Sequence, residues 1–518
     1  MQNYDYDILL INPPLLYIKD KLAQFGSLHL TSGVPYKTFN PGILSIGTYL
    51  DWKGYKVKIC DITKCEETEG LLKETLNFGK PMVVGISCSY GQSYLPTLQI
   101  AQFIKNWYPD VFIVTGGQHS GLIGGIALKD CNAIDVVSRY EGEITLLQLL
   151  EYRKGLRSIS EINGIVFRRS ELEREKVSIN DNIIPFKFNN LDYDCSIKTV
   201  VYDEYLENPK TPNVVDLNEM PFLKYDLYPN YLSYPPYVEE SRGCSWGCEY
   251  CVSCFINSRR LRKKESKRFI SELKHCVSIY GKDNQYPILA SNFGVDDNNT
   301  INICEGIKNN FGSLKWVSEF RTDLKWENYI DAMYESGCKA FAVGIESANN
   351  SILRLMNKTV NPVHYLEKAE KLITYLKKYS DSIMHINLMF YIGESPETVK
   401  NNIAFIMKWI NDIHSIHYSP VIAYPGTRLW NNMESYNEKY GTTIIKNDLW
   451  DSMHFYPVNP SKYFSYEDAG HFSRMMEKLI LKEEQFYIMH ETRFSKDKDG
   501  KIPDEYRNKF IGDILYSG

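Results

Sequence analysis

The chain has 518 residues, 43% of them hydrophobic and 24% charged, with a net charge of −5. That balance gives ample core for two to four domains, and nothing at whole-chain level points to nucleic acid or an anionic membrane as a partner. No apolar run is long enough to span a bilayer, the opening Met1-Gln2-Asn3-Tyr4-Asp5 lacks the basic-then-apolar order of a secretion signal, and the 12 cysteines, spread through a long chain, suit a reducing compartment, so a cytoplasmic location is expected.

In chain order, Asp7–Ile11 is a short apolar strand stopped by Asn12-Pro13-Pro14. Pro41-Gly42 opens a helix over 43–52, closed by Gly54. Strands are predicted at 55–61, 82–87, 111–115 and 133–138, with helices at 71–78, 94–107 and 143–152 between and after them. Regular alternation of this kind predicts an α/β fold with a doubly wound parallel sheet over residues 1–152. Ligands of such sheets bind at the carboxyl ends of the strands. Those ends carry Asn12, Pro13, Ser87, Ser89, Gly116, Gly117, Gln118, Glu141 and Gly142. No G-x-G-x-x-G follows the first strand, which disfavours a nicotinamide or flavin dinucleotide.

Residues 153–236 read as an irregular linker with one short strand near 162–168. From 237 to 429 alternation resumes, with six strands at 237–240, 286–293, 315–320, 339–343, 383–391 and 413–422. Six strand–helix units make an incomplete version of the eight-unit barrel, with its functional groups at the strand carboxyl ends. Residues 430–518 form a mixed extension in which 469–486 reads as an amphipathic helix, expected to cover the barrel opening. His414 and His417, three apart on a strand, should face opposite sides and not share a metal.

The loop after the first barrel strand reads Ser241-Arg242-Gly243-Cys244-Ser245-Trp246-Gly247-Cys248-Glu249-Tyr250-Cys251. Its C-x-x-x-C-x-x-C triplet is expected by chance only about 0.006 times in such a chain. Three soft thiolates suit a 4Fe-4S cube, which would keep one iron corner free. The competing reading is a zinc site completed by Cys254, though structural zinc sites usually come as two separated ligand pairs.

This spacing, with Tyr250 before the last cysteine, resembles the signature of radical S-adenosylmethionine enzymes. The likeness extends to Asp216-Leu217 with Pro221 and Tyr225, to Asp296-Asp297-Asn298, Gly344-Ile345-Glu346-Ser347, Leu353-Arg354-Leu355-Met356-Asn357-Lys358 and Tyr424-Pro425-Gly426-Thr427, and at the front to Asn12-Pro13-Pro14, Gly116-Gly117 and Glu141-Gly142-Glu143. Over roughly residues 5–430 the chain is similar to the subgroup with an N-terminal cobalamin-binding domain, the class B radical S-adenosylmethionine methyltransferases. D-x-H-x-x-G, which supplies a cobalt-ligating histidine in other cobalamin proteins, is absent, and His119 is expected to be structural or near the nucleotide tail.

The resemblance implies three cofactors: a 4Fe-4S cluster on Cys244, Cys248 and Cys251, S-adenosylmethionine near Tyr250, Asp296, Arg321, Glu346 and Tyr424, and cobalamin on the nine strand-end residues named above. It implies a 5′-deoxyadenosyl radical and methylcobalamin acting together to methylate an unactivated carbon of a natural-product precursor or peptide, with a flavodoxin or ferredoxin as electron donor. Alternatives are a non-methylating cyclisation, rearrangement or redox step with the same cofactors, and a non-catalytic sensor. For Asp296 the residues equally allow a helix N-cap, and for Glu346 a structural ion pair.

Overall fold

The computed structural model describes residues 4–16, 40–176, 182–210, 215–256 and 259–480. The side chains of Cys254 and Phe255 lie outside that description.

The first sheet has eight strands: β1 (Tyr6–Asn12), β2 (Val57–Asp61), β3 (Pro81–Ser87), β4 (Phe112–Gly116), β5 (Val136–Ser138), β6 (Ile165–Arg168), β7 (Ile184–Leu191) and β8 (Ile197–Glu207). They lie in the order β2-β1-β3-β4-β5-β6-β8-β7. The first five are parallel and buried on both faces, which is why their sequences run as continuous apolar stretches. In β1, Ile8 and Leu10 enter one core layer while Leu9 and Ile11 enter the other, as the two-residue period of a strand requires. Direction of winding reverses between β1 and β3, and that switch opens a crevice at the strand carboxyl ends.

Strands β7 and β8 overturn the expectation of an irregular stretch after residue 153. They form an antiparallel hairpin that extends the sheet. Phe186, Phe188 and Leu191 are buried, while Lys187, Lys198, Asp203 and Glu204 face solvent. A strand covered on one side carries that many charges, and so reads as loop. Residues 215–236 do run as a connector with short 3₁₀ turns, and Tyr225 seals it to the second unit by donating from its hydroxyl to the Tyr237 carbonyl at 2.6 Å.

The second sheet has six parallel strands: β9 (Val238–Glu239), then, beyond the short pair β10 (Ser241–Arg242) and β11 (Arg262–Lys263), β12 (Tyr286–Leu289), β13 (Trp316–Phe320), β14 (Cys338–Glu346), β15 (Ile383–Phe390) and β16 (Ser415–Pro420). Their spatial order is their chain order, with β9 and β16 at the edges. All six expected strands are present. The extension contributes a helix at Tyr466–Ile480, starting earlier than the expected 469–486, of which residues 481–486 lie outside the described residues. It packs on edge strand β16, and Glu477 accepts from the Tyr418 backbone N–H at 2.9 Å. An edge amide is thus satisfied by a side chain instead of a seventh strand. His414 Nδ1 accepts from the Met384 N–H at 3.1 Å and His417 lies 3.3 Å from Glu477, so the two histidines do separate work.

Glu394 follows β15 and is fully buried, hydrogen-bonded by the Thr398 hydroxyl and by Asn402 at 3.4 Å. Burial pushes its carboxyl up to about 7. Because the folded value lies above the unfolded one (about 4.3), the unfolded chain gives up the proton first, and stability falls as pH rises from about 4.5 to about 7. Glu394→Gln is therefore expected to be more stable than the wild type at pH 8, by at most about 4 kcal/mol, and to lose that advantage at pH 5. Urea unfolding at the two pH values checks this.

Candidate functional site

The cysteine loop leaves the sheet through β10 and returns through β11, which pair antiparallel at its neck. Gly243 turns the chain at φ +84°, a left-handed conformation that favours glycine. Cys244 and Cys248 are buried and Cys251 half-buried. The loop is pinned by three hydrogen bonds from two segments. The Glu249 N–H donates to the Met356 carbonyl at 2.9 Å, and the Leu429 N–H donates to the Glu249 carbonyl at 3.0 Å. Asn357 donates to the Gly247 carbonyl at 2.8 Å.

Side-chain donors reach two of the sulfurs: Asn292 Nδ2 to Cys244 Sγ at 3.1 Å, and Arg321 Nη1 to Cys248 Sγ at 3.8 Å. Burial pushes the Cys244 and Cys248 thiols up, which a bound metal cation would reverse. Among the described residues no three His, Cys, Asp or Glu side chains converge on one point that could hold a single metal ion. A single zinc would gather its sulfurs at about 2.3 Å, whereas a cube spreads three thiolates over three irons. The donor set, three soft thiolates carried on one loop, fits a cluster.

The five residues expected near S-adenosylmethionine divide. Arg321, Glu346 and Tyr250 surround Cys248. Arg321 is buried, its fork closed on Asp323 at 2.8 and 2.9 Å, with the Lys358 carbonyl accepting at 2.6 Å. It also lies 4.7 Å over the Trp246 ring. Glu346, at φ +67°, pairs with buried Lys358 at 2.9 Å. Although burial works against it, Glu346 and neighbouring Tyr365 hold the Lys358 ammonium above its ordinary range. Tyr250 stands edge-on to Tyr391 at 6.0 Å. Asp296 is elsewhere in role: it N-caps the helix Asp297–Phe311, accepting from the Asn299 N–H at 3.0 Å, and pairs with Lys263. Tyr424 stands edge-on to Phe455 at 6.4 Å, and burial pushes its hydroxyl up to about 12.

A cavity of about 610 Å³ lies between the carboxyl ends of the first sheet and the neck of the cysteine loop, within the ~300–1,000 Å³ range of small-molecule sites. All nine strand-end residues, Asn12, Pro13, Ser87, Ser89, Gly116, Gly117, Gln118, Glu141 and Gly142, line it, and so do Ser241, Arg242, Gly243 and Ser253. Ser138 Oγ is buried in the wall without a hydrogen-bond partner among the described residues, a group for a ligand to satisfy. These features fit a corrin face. Gly117 sits at φ +95°, and a Cβ there would lie 2.8 Å from the Cys88 carbonyl oxygen and 2.9 Å from its carbon. Gly117→Ala is expected to cost about 1–3 kcal/mol and to weaken hydroxocobalamin binding at least tenfold, measured by urea unfolding and by spectral titration.

Not every wall residue is free for a ligand. The Asn12 amide donates to Asp61 at 2.7 Å and accepts from Asn40 at 2.8 Å. Glu141 is taken by Arg242 at 3.3 Å and by Arg262. His119 lies apart from the cavity lining: its Nε2 meets the Met453 carbonyl at 2.8 Å and its ring is edge-on to Tyr94. Burial drives its pKa down to about 3, so it is neutral and structural.

Sequence reasoning assigned no role to Arg242, Glu143, Asn292 or Lys358. Arg242 joins the two halves of the site. Its guanidinium donates to Glu143 at 2.7 Å, Glu239 at 2.8 Å, Glu141 at 3.3 Å and Ser45 Oγ at 2.9 Å. Burial opposes charge on both partners, yet Arg242 and Ser45 hold the Glu143 carboxyl below its usual range. The available signal was an arginine directly before Gly243-Cys244, opposite a Glu-x-Glu at a strand end.

Comparison with known proteins bears on this geometry. Residues 30–150 match the B12 binding domain family. The chain is 27% identical over 384 residues to an uncharacterised methyltransferase of Pyrococcus horikoshii, covering 73% of this chain and 74% of that one. It is 25% identical over 431 residues to the cytidylyl-2-hydroxyethylphosphonate methyltransferase of Streptomyces wedmorensis, covering 75% and 73%. In fold it is similar to TsrM of Kitasatospora setae, a radical S-adenosylmethionine methyltransferase solved with cobalamin and a [4Fe-4S] cluster. That match has a TM-score of 0.65 at 15% identity and covers 92% of this chain and 88% of that one. TsrM has also been solved with its tryptophan substrate and a S-adenosylmethionine analogue.

Proposed function

We infer, for a chain that joins a B12 binding domain to the fold of a radical S-adenosylmethionine methyltransferase, a cobalamin-dependent enzyme of that kind which methylates carbon in a small-molecule or peptide precursor. The observation that supports the reading best is a shared wall. The nine residues expected to hold cobalamin and the neck of the C-x-x-x-C-x-x-C loop border one cavity, so two cofactors held there would meet over one substrate.

Cys244, Cys248 and Cys251 would hold the cluster, with Asn292 and Arg321 donating to sulfur and offsetting its negative charge. Gly116, Gly117, Ser87, Ser89 and Ser138 would border the corrin. When bound, the cluster and the corrin supply one-electron chemistry and a transferable methyl group. The chain's own work is placement. Arg242 locks the loop neck to the first sheet, and Asp323 and Lys358 fix Arg321 and Glu346 beside Cys248. Arg321, on Cys248, and Glu346, on Lys358, are the groups that would orient S-adenosylmethionine. Asp296 and Tyr424 would act, if at all, from farther out.

The test is anaerobic reconstitution with iron, sulfide and hydroxocobalamin, followed by turnover with methyl-labelled S-adenosylmethionine. Cluster and corrin bands in one spectrum, and one labelled methyl per product, are expected. A tetrahedral zinc with no corrin uptake would overturn the reading. An unlabelled product would instead favour a non-methylating reaction with the same cofactors.

A further inference from the structure

The second sheet has two unlike faces. On one, Phe320, Val343, Ile386 and Tyr418 are buried in a single core with Leu273 and Leu372 of the helices. The opposite face is not filled. Glu319 is exposed there, and Asn387, Met389 and His417 are half-buried, although β13 and β15 are not at an edge of the sheet, and only His417 lies on an edge strand. Short side chains keep the middle open. Below Glu346, β14 contributes only Ala340, Ala342 and Gly344 to this face, and Ala340 and Ala342 pack with Ile383 and Val317 as an apolar floor.

Two rows cross this face in register. Glu319 pairs with Ala342, Ala342 with His385, and His385 with Ser415; one step nearer the strand carboxyl ends, Gly344 pairs with Asn387 and Asn387 with His417. The upper end meets the cysteine loop, because Arg321, two residues beyond Glu319, donates to Cys248. To one side, Pro287 pairs with Val317, and Leu289, two residues on, borders the cavity lined by Gly116 and Gly117. Charge on the face is matched except at one point. Arg321 is closed on Asp323, Glu346 on Lys358 and Glu239 on Arg242, and His417 lies beside Glu477. The Glu319 carboxylate has no hydrogen bond or ion pair among the described residues. Asn387 is held in place: His385 Nε2 lies 3.2 Å from its Oδ1, and His385 Nδ1 lies 2.8 Å from Ser415 Oγ. With Nε2 donating, the Asn387 amide nitrogen keeps two N–H donors and no partner among the described residues.

We propose that Glu319 and Asn387 select the substrate on this face, and that the substrate is an amphiphilic amine. Its ammonium pairs with the Glu319 carboxylate, a hydroxyl or carbonyl oxygen accepts from Asn387 Nδ2, and an apolar body rests on Ala340 and Ala342. This rests on the methyl-transfer function inferred above and narrows its precursor to one chemical class. Glu319 and Asn387 stand two strands apart, about 10 Å between backbones, with only alanine and glycine between them, a span that an aminoalcohol or amino-acid fragment fills. An ammonium there gains a charge-assisted hydrogen bond, roughly twice as strong as a neutral one, whereas an anion is repelled by Glu319.

The test is equilibrium dialysis of the full chain, loaded with iron, sulfide and hydroxocobalamin, against L-phenylalaninol, N-acetyl-L-phenylalaninol and L-3-phenyllactate. The three share an apolar body and differ in charge. The amine is expected to bind about tenfold or more tightly than either of the others. Glu319→Gln should weaken the amine about tenfold or more and leave the acetylated compound unchanged, so that the preference disappears. Asn387→Ala should weaken the amine about threefold or more, and neither variant should change the affinity for S-adenosylmethionine. Wild-type protein that binds all three alike, prefers phenyllactate or binds none of them would overturn the substrate class. A Glu319→Gln protein that loses S-adenosylmethionine as much as the amine would overturn it by assigning the carboxylate to that cofactor. Wild-type protein without cluster and corrin bands would overturn the proposed function instead, and spectra of the dialysed samples separate the two failures.

Discussion

Cys248→Ser protein, reconstituted anaerobically with iron and sulfide, is expected to retain less than about one iron per chain against about four for the wild type, and to lose methyl transfer altogether. Of the three loop cysteines it is the one whose surroundings are most fully built. It is buried, and Arg321, itself held by Asp323 and the Lys358 carbonyl, directs an N–H at its sulfur. Serine keeps the shape of the side chain and removes the soft ligand, so the outcome isolates sulfur ligation from packing. Cys65→Ser is the control. Cys65 is an exposed free thiol far along the chain from the loop, and its replacement should leave iron content and turnover unchanged. Full iron in Cys248→Ser would mean that the loop does not carry the cluster.

Arg242→Met is expected to cost about 3–5 kcal/mol of unfolding free energy, the usual penalty for removing one partner of a buried ion cluster. Arg242 is the common partner of Glu141, Glu143 and Glu239. Without it, Arg262 alone remains, paired with Glu141, and Glu143 and Glu239 lose their cation inside the protein. Because Ser45, Glu141 and Glu143 belong to the first unit while Arg242 leads into the cysteine loop, the loss should also loosen one wall of the cavity, and hydroxocobalamin should bind at least tenfold more weakly. Urea unfolding measures the first effect and spectral titration the second. Arg242→Met/Glu143→Gln should recover part of the lost stability, since the second change removes a carboxylate that the first left stranded. A single-variant cost below about 1 kcal/mol would show that water already reaches this cluster.

The α/β alternation was legible in the sequence because parallel strands buried on both faces are written as unbroken apolar runs, and their helices carry caps such as Asn40 before Pro41 and Ser395 before Pro396. The β7–β8 hairpin was not legible, because a strand covered on one side interleaves Lys187 and Lys198 with its buried phenylalanines and has the composition of a loop. Cys244, Cys248 and Cys251 stood out because ligands to one cluster must be close in sequence when they sit on one loop. The nine cavity residues stood out because the ends of parallel strands converge on one crevice whatever the intervening helices are.

What the chain determined by itself, then, was everything that depends on local pattern: two wound sheets, a sulfur-rich loop and the strand ends that border a cavity. What only the tertiary structure decided was partnership. Asp296 became a helix cap matched to Lys263, the Arg321 fork closed on Asp323, Glu141 was taken by two arginines at the cavity wall, and Arg242 bridged residues up to 197 positions away. The reason is physical: a charged side chain can be satisfied by any opposite charge the fold brings within about 4 Å, and sequence order does not say which one arrives.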